Sequence, residues 1–177
     1  FPTSYIPTEG TTVTRAADVS TSALGVDRWY NTDASTVYWE GNVIAGPFGQ
    51  YLLWSIQNGQ TRNDGIQMTR RSGSGSRFSH YDSASNGDFD FTGPTWGDNS
   101  YRKLAGAIGQ TSAGFADRGS LIGTDTTYQL PSASDGLVIL RLGSGDGGGI
   151  SPYNVHIKRL AYFNTRLPDD KLKSITS

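Results

Sequence analysis

Apolar and polar residues alternate along this chain in short runs, and the runs follow one another closely. In GIQMTRR (65–71), Ile66, Met68 and Arg70 share one phase, while Gln67, Thr69 and Arg71 share the other. In SRFSHYD (76–82), Phe78 and His80 oppose Ser79 and Tyr81. A period of two is that of a strand whose two faces meet different surroundings. The same reading predicts strands in TTVTR (11–15), STVYWEGNVI (35–44), QYLLWSIQN (50–58), YRKLAGAIG (101–109), TSAGFAD (111–117), LIGT (121–124), GLVILRLG (136–143) and VHIKRLAYF (155–163), with a looser DVSTSALG after the first. GDFDFTGPTWGDNS (87–100) and GSGDGGG (143–149) read as loops. FADRGSLI reads as a hairpin turning on Asp117-Arg118-Gly119, with Gly119 in the left-handed position. Short alternating strands between turn signals predict an antiparallel sandwich or barrel, and the lack of a fixed-period repeat argues against a propeller or β-helix.

One helix is expected, near the end of the sequence. Pro168 suits a first helical position, Asp169 and Asp170 follow in the first turn, and Lys171 and Lys173 come later, the order that the helix dipole favours. Leu172 and Ile175 are three apart and dock one face of this helix after the last strand, which makes the charges around them its solvated side.

Composition supports the β reading. The 177 residues include 23 glycines, above the usual share of about 7%, and four Trp, nine Tyr and seven Phe, which suit pleated, half-buried surfaces. A chain of this length makes one domain, residues 1–177, with a core that needs no staples. Its net charge of −1 offers no electrostatic case for nucleic acid or an anionic membrane surface. No apolar run approaches the roughly 18 residues of a membrane span, and FPTSYIPTEG lacks the basic and apolar regions of a signal peptide. With no initiator Met, the sequence is expected to be a module cut from a longer polypeptide. The absence of cysteine removes disulfides, thiol catalysis and cysteine-based zinc sites.

The opening SYIPTEGTTVTRAADV and the closing LRLGSGDGG…NVHIKRLAYFNTRLPDDKLKSIT together resemble the two ends of a domain common in tailed-phage tail and structural proteins. That domain belongs to the concanavalin A-like lectin/glucanase group, near its laminin-G and pentraxin branch. WYN followed by STVYWEG resembles the family's first core strand, and GIQMTRRSGSGSRF a middle hairpin, so the likeness spans nearly the whole chain. Pro168 departs from the pattern, because the family usually has a small hydroxyl residue there as helix cap. The resemblance implies a two-sheet antiparallel jelly-roll sandwich with one short C-terminal helix. It also implies a carbohydrate-binding or virion-structural role, at a virion, extracellular or cell-surface location, beside other modules of the same chain or neighbouring virion proteins.

The residues themselves are poor in catalytic signals. Laminarinase-like relatives carry Glu-x-Asp-x-x-Glu on one strand, which is missing here; Asp88 and Asp90 in DFDF read as a solvated edge rather than the carboxylate pair of a glycosidase. His80 and His156 have no partners at zinc-ligand spacing and read as structural. No Gly-x-Ser-x-Gly elbow or phosphate-cradling motif is present. No cofactor is expected to be required; structural calcium stays open, because Asp82, Asp88, Asp90, Asp98, Asp125, Asp135 and Asp146 offer hard oxygen ligands that equally suit turns.

Sugar binding has the strongest chemical support. Trp96 sits between Pro94 and Gly97 in a loop, where an indole standing off the core would be a stacking platform. Tyr81 lies in the phase opposite Phe78, with Gln67 and Arg71 in the matching phase of the preceding strand, and Asn99 and Tyr101 follow Trp96 closely. Trp29, Trp39 and Trp54 read as core. The expectation is a non-catalytic module binding a polysaccharide or cell-surface glycan through Trp96, Tyr81, Arg71, Gln67, Asn99 and Tyr101. The alternatives are a virion-assembly module that binds protein, and a glycan hydrolase or lyase.

Overall fold

In a computed structural model of the chain, the described residues are 20–22, 29–31, 33–44, 50–57, 65–71, 73, 75–81, 89–97, 99–127, 139–143 and 155–177. They form two antiparallel sheets and one helix. The strands are β1 (Ser20–Ser22), β2 (Ser35–Val43), β3 (Gln50–Gln57), β4 (Gly65–Arg71), β5 (Gly75–Tyr81), β6 (Asp90–Thr92), β7 (Tyr101–Gly109), β8 (Ser112–Asp117), β9 (Ser120–Asp125), β10 (Ile139–Leu142) and β11 (Val155–Phe163); the helix is α1 (Asp169–Thr176). One sheet runs β1-β10-β3-β4-β5-β6 and the other β11-β2-β7-β8-β9. The strand expected at 11–15 lies outside the described residues.

The alternation read from sequence decides what lies between the sheets. Trp54, Ile56, Ile66, Met68 and Phe78 come from the first sheet, and Val37, Trp39, Val43, Leu104, Ile108 and Phe115 from the second. Where two large rings meet, the opposite strand gives way: a Cβ on Gly106 would lie 2.7 Å from the Phe78 ring, so this position in β7 is held to glycine. The hairpin at 117–119 forms as expected, with Gly119 at φ 75° and Arg118 at φ 47°.

The second sheet carries its helix on the outside. Leu172 packs with Tyr38, Ala105, Ala107 and Ala116, and Ile175 joins them at the edge. Small residues at 105, 107 and 116 let α1 approach closely. Thr36 ties the connection, accepting from the Leu167 amide at 2.9 Å and donating to the Thr165 carbonyl at 2.8 Å. Pro168 occupies the position before the helix rather than its first turn, with ψ 153° and no side-chain cap; its carbonyl accepts the first helical bond, from Leu172 at 3.0 Å.

Two local expectations are corrected. Residues 90–92, read as loop, form β6 against β5, with Ser79 opposite Asp90 and Phe78 opposite Phe91. Trp29, read as core, is 40% exposed and meets Tyr162 edge-on at 4.9 Å.

Candidate functional site

The phase of β3, β4 and β5 that points away from the core should be solvated if the sheet's outer face were ordinary surface. Instead it is polar and buried. Registers across the first sheet place Arg141 (β10), Ser55 (β3), Gln67 (β4), Ser79 (β5) and Asp90 (β6) in one lateral row. At a strand spacing of about 4.8 Å the row spans roughly 19 Å. Thr69 and Arg77 lie one step along it on one side, and Gln57 on the other, opposite Gly65 and Tyr81. Ser55, Gln57, Gln67, Thr69, Arg77, Ser79 and Arg141 are all buried.

These side chains are short of partners. The hydroxyls of Ser55, Thr69 and Ser79, the Gln57 Oε1 and the Nε atoms of Arg71 and Arg141 are buried without a hydrogen-bond partner. Each such group costs about 1–3 kcal/mol where nothing satisfies it, so a concentration of them on one sheet face calls for polar matter placed against it.

Arg77 is well partnered. Its Nε and Nη2 donate to both oxygens of Asp90, and its guanidinium lies 5.1 Å from the centre of the Tyr81 ring. Burial pushes the Arg77 pKa down, and the Asp90 carboxylate together with Tyr81 more than offsets it, leaving the group above its ordinary value.

Of the residues chosen from sequence, Gln67, Arg71 and Tyr81 share this face, Gln67 in the row, Tyr81 opposite Gly65 at one end of the β4–β5 pair and Arg71 opposite Gly75 at the other. Trp96 is not among them. It is 3% exposed and lies 6.5 Å from Trp39 inside the sandwich, so its expected place off the core is corrected. Two cations flank its ring, Arg70 at 5.8 Å and Arg102 at 5.2 Å, and its carbonyl accepts from Arg70 Nη2 at 3.2 Å. Arg102 in turn donates to Asp117, which is fully buried and also accepts from Ser76 Oγ at 2.7 Å. This interior cluster fastens residues 93–97 across the end of the sandwich.

Asn99 and Tyr101 belong to the other sheet. Asn99 is a turn residue at φ 61° whose amide donates to the Val43 carbonyl. Tyr101, 45% exposed, stands on the outer face of β7 in a network of its own: its hydroxyl, with that of Tyr38 and the Lys158 ammonium, donates to Glu40. The Tyr101 hydrogen bond is the chief cause of a Glu40 pKa below the ordinary carboxylate value, while burial and the Glu40 charge push Tyr38 up to about 12. With Lys158 over its ring at 5.1 Å, Tyr101 is already occupied, and it does not join the first sheet's outer face.

Sequence reasoning did not single out Ser55, Gln57, Ser79, Arg77 or Arg141, although Gln67, Arg71 and Tyr81 were chosen from the same phase, and it read Asp90 as a solvated edge. Their signal was present, since each occupies the phase opposite a core residue. Metal ligation finds no assembled set: among the described residues no three His, Asp or Glu side chains converge. Of the aspartates considered for calcium, Asp90 is held by Arg77, Asp125 accepts from the Thr127 amide and hydroxyl, and the others lie outside the described residues. His80 is buried with its ring 6.2 Å from Phe89, and His156 is exposed beside Asn42.

No protein-family model matches the chain, and no curated protein matches it in sequence. Its architecture is similar to solved structures. The CBM40 of the Ruminococcus gnavus IT-sialidase, bound to α2,3-sialyllactose, matches with a TM-score of 0.67 at 16% identity, over 81% of this chain and 82% of that one. The leech intramolecular trans-sialidase, in complex with 2,7-anhydro-Neu5Ac, matches with a TM-score of 0.72 at 15% identity, over 89% of this chain and 26% of the enzyme. A heptameric SAP-like pentraxin from Limulus polyphemus matches with a TM-score of 0.59 at 14% identity, over 84% of this chain and 73% of the pentraxin. The fold is a concanavalin A-like jelly roll.

Proposed function

We propose that this chain is a non-catalytic carbohydrate-binding module that takes an acidic glycan on the outer face of the sheet β1-β10-β3-β4-β5-β6. The observation that carries the reading is the lateral row from Arg141 to Asp90 with its neighbours. Three hydroxyls, one amide oxygen and two guanidinium Nε atoms are buried there without partners, groups that sugar hydroxyls and a carboxylate would satisfy. Arg71 and Arg141 suit an anion, because a guanidinium presents donors in a planar fork. Similarity to a sialidase CBM40 bound to sialyllactose makes a sialylated glycan the first ligand to test. Polar and ionic contacts replace the indole stacking expected from sequence, with Tyr81 as the aromatic group at the edge. Monovalent binding is weak, and multivalent display supplies avidity. The non-catalytic part rests on the chemistry of the face: Asp90, the carboxylate among the described residues there, is held by Arg77, whereas glycoside hydrolysis uses a pair. The likeness of the chain's ends to phage-tail domains favours display on a virion or cell surface.

Calorimetric titration with α2,3-sialyllactose and with lactose tests the proposal. Sialyllactose binds and lactose binds at least tenfold more weakly, and Arg141→Ala removes that preference, a loss of about 1.5–3 kcal/mol for a charge-assisted contact. Equal affinity for the two sugars, or binding unaffected by Arg141→Ala, overturns it.

A further inference from the structure

The outer face of the first sheet carries three arginines, Arg71, Arg77 and Arg141, and one of them comes with its own counter-anion. Arg77 is 6% exposed at its side chain and Asp90, on the edge strand, 48%. Both Asp90 oxygens accept from Arg77, whose guanidinium also lies 5.1 Å from the centre of the Tyr81 ring. Arg71 and Arg141 each keep a buried Nε without a hydrogen-bond partner.

We propose that Asp90 is a specificity-determining residue that occupies Arg77 and so limits the face to sugars of low charge. The proposal rests on the acidic-glycan reading above and extends it to the number of anionic groups that the face accepts. A ligand with one carboxylate engages Arg71 or Arg141 and leaves the Arg77 pair intact. A polysulfated chain would bring further anions beside Asp90, and to use Arg77 it would have to displace a carboxylate that is covalently tethered and bound through two donors. Until then Asp90 adds a like charge at the rim. Asp90→Asn keeps the size and one acceptor for Arg77 while adding one unit of positive charge to the face.

Three probes separate the outcomes: lactose, α2,3-sialyllactose and a trisulfated heparin disaccharide, titrated at low and at physiological salt. Asp90→Asn raises affinity for the heparin disaccharide roughly fivefold, the effect of one charge at contact distance in water, and the gain shrinks as salt rises. Sialyllactose gains less and lactose is unchanged. The same change for all three probes, or no change for the disaccharide while Arg141→Ala still weakens sialyllactose binding, overturns the role of Asp90 and leaves the site standing. Sialyllactose binding untouched by Arg141→Ala overturns the site, and the role of Asp90 with it. Asp90→Ser serves as a second charge-removing variant, and a melting temperature within a few degrees of wild type shows that each variant is folded.

Discussion

Replacing Trp96 by alanine separates a core residue from a ligand platform. The indole is buried against Trp39, and Arg70 and Arg102 stand over its ring. Truncating a buried Trp costs about 3–5 kcal/mol, and each guanidinium loses a cation–π contact of about 0.5–2 kcal/mol, partly contained in that figure. In a domain of this size each kcal/mol moves the melting temperature about 2–4 °C, so a loss of about 4 kcal/mol lowers it by about 8–16 °C. Differential scanning calorimetry reads this directly, and Trp96→Phe, which keeps most of the apolar volume, loses roughly half as much. Titration below the lowered transition finds sialyllactose affinity within about twofold of wild type. A Trp96→Ala protein that melts within about 2 °C of wild type yet fails to bind the sugar refutes the reasoning.

Asp117→Asn leaves Arg102 buried without its counter-charge and costs about 3–5 kcal/mol; urea unfolding checks this, and a loss below about 1 kcal/mol contradicts the placement of the pair. Glu40→Gln tests the outer network of the second sheet through pH. The folded-state pKa of Glu40 lies below its ordinary value of 4.5, so its contribution to stability is present above that value and is lost as pH falls through the lowered one. The gap in melting temperature between wild type and Glu40→Gln is therefore full at pH 7 and closes below about pH 4.5; a gap independent of pH contradicts the role given to its charge.

The sandwich was legible because period-two alternation reports faces, and the strands β2 to β5 and β7 to β11 stand where the pattern put them, within a few residues at their ends. What alternation does not report is the character of the second face. Ser55, Gln57, Gln67 and Ser79 look like residues meant for water, yet they are as buried as Met68 and Phe78 on the other side. Neighbourhood in sequence misled in the opposite way. Trp96, Asn99 and Tyr101 are close along the chain, but Trp96 enters the interior, Asn99 turns the backbone, and Tyr101 begins a strand of the other sheet. A tryptophan between Pro94 and Gly97 has the composition of a surface loop; the pull of Arg70, Arg102 and the Trp39 ring is visible only once three strands have been brought together.

The same interior cluster bears on the candidate site, because both depend on β6. A strand of three residues at a sheet edge has little of its own to hold it. Here its alternate residue is taken into the core: Phe91 stacks on Phe89 at 5.1 Å and lies where a side chain on Gly123 would have to be. Just beyond the strand, Gly93 donates to the Ser76 carbonyl at 2.8 Å, and Gly75 leaves room for the Pro94 carbonyl, which a Cβ would approach to 2.2 Å. Trp96 then closes the segment under two arginines. With both ends of β6 fastened from inside, Asp90 is presented on the outside in a fixed relation to Arg77, although it is half exposed. Charge on the outer face is thus set by packing on the inner one, and loosening Trp96 should weaken the Arg77–Asp90 pair before it disturbs the distant Arg141 end of the row.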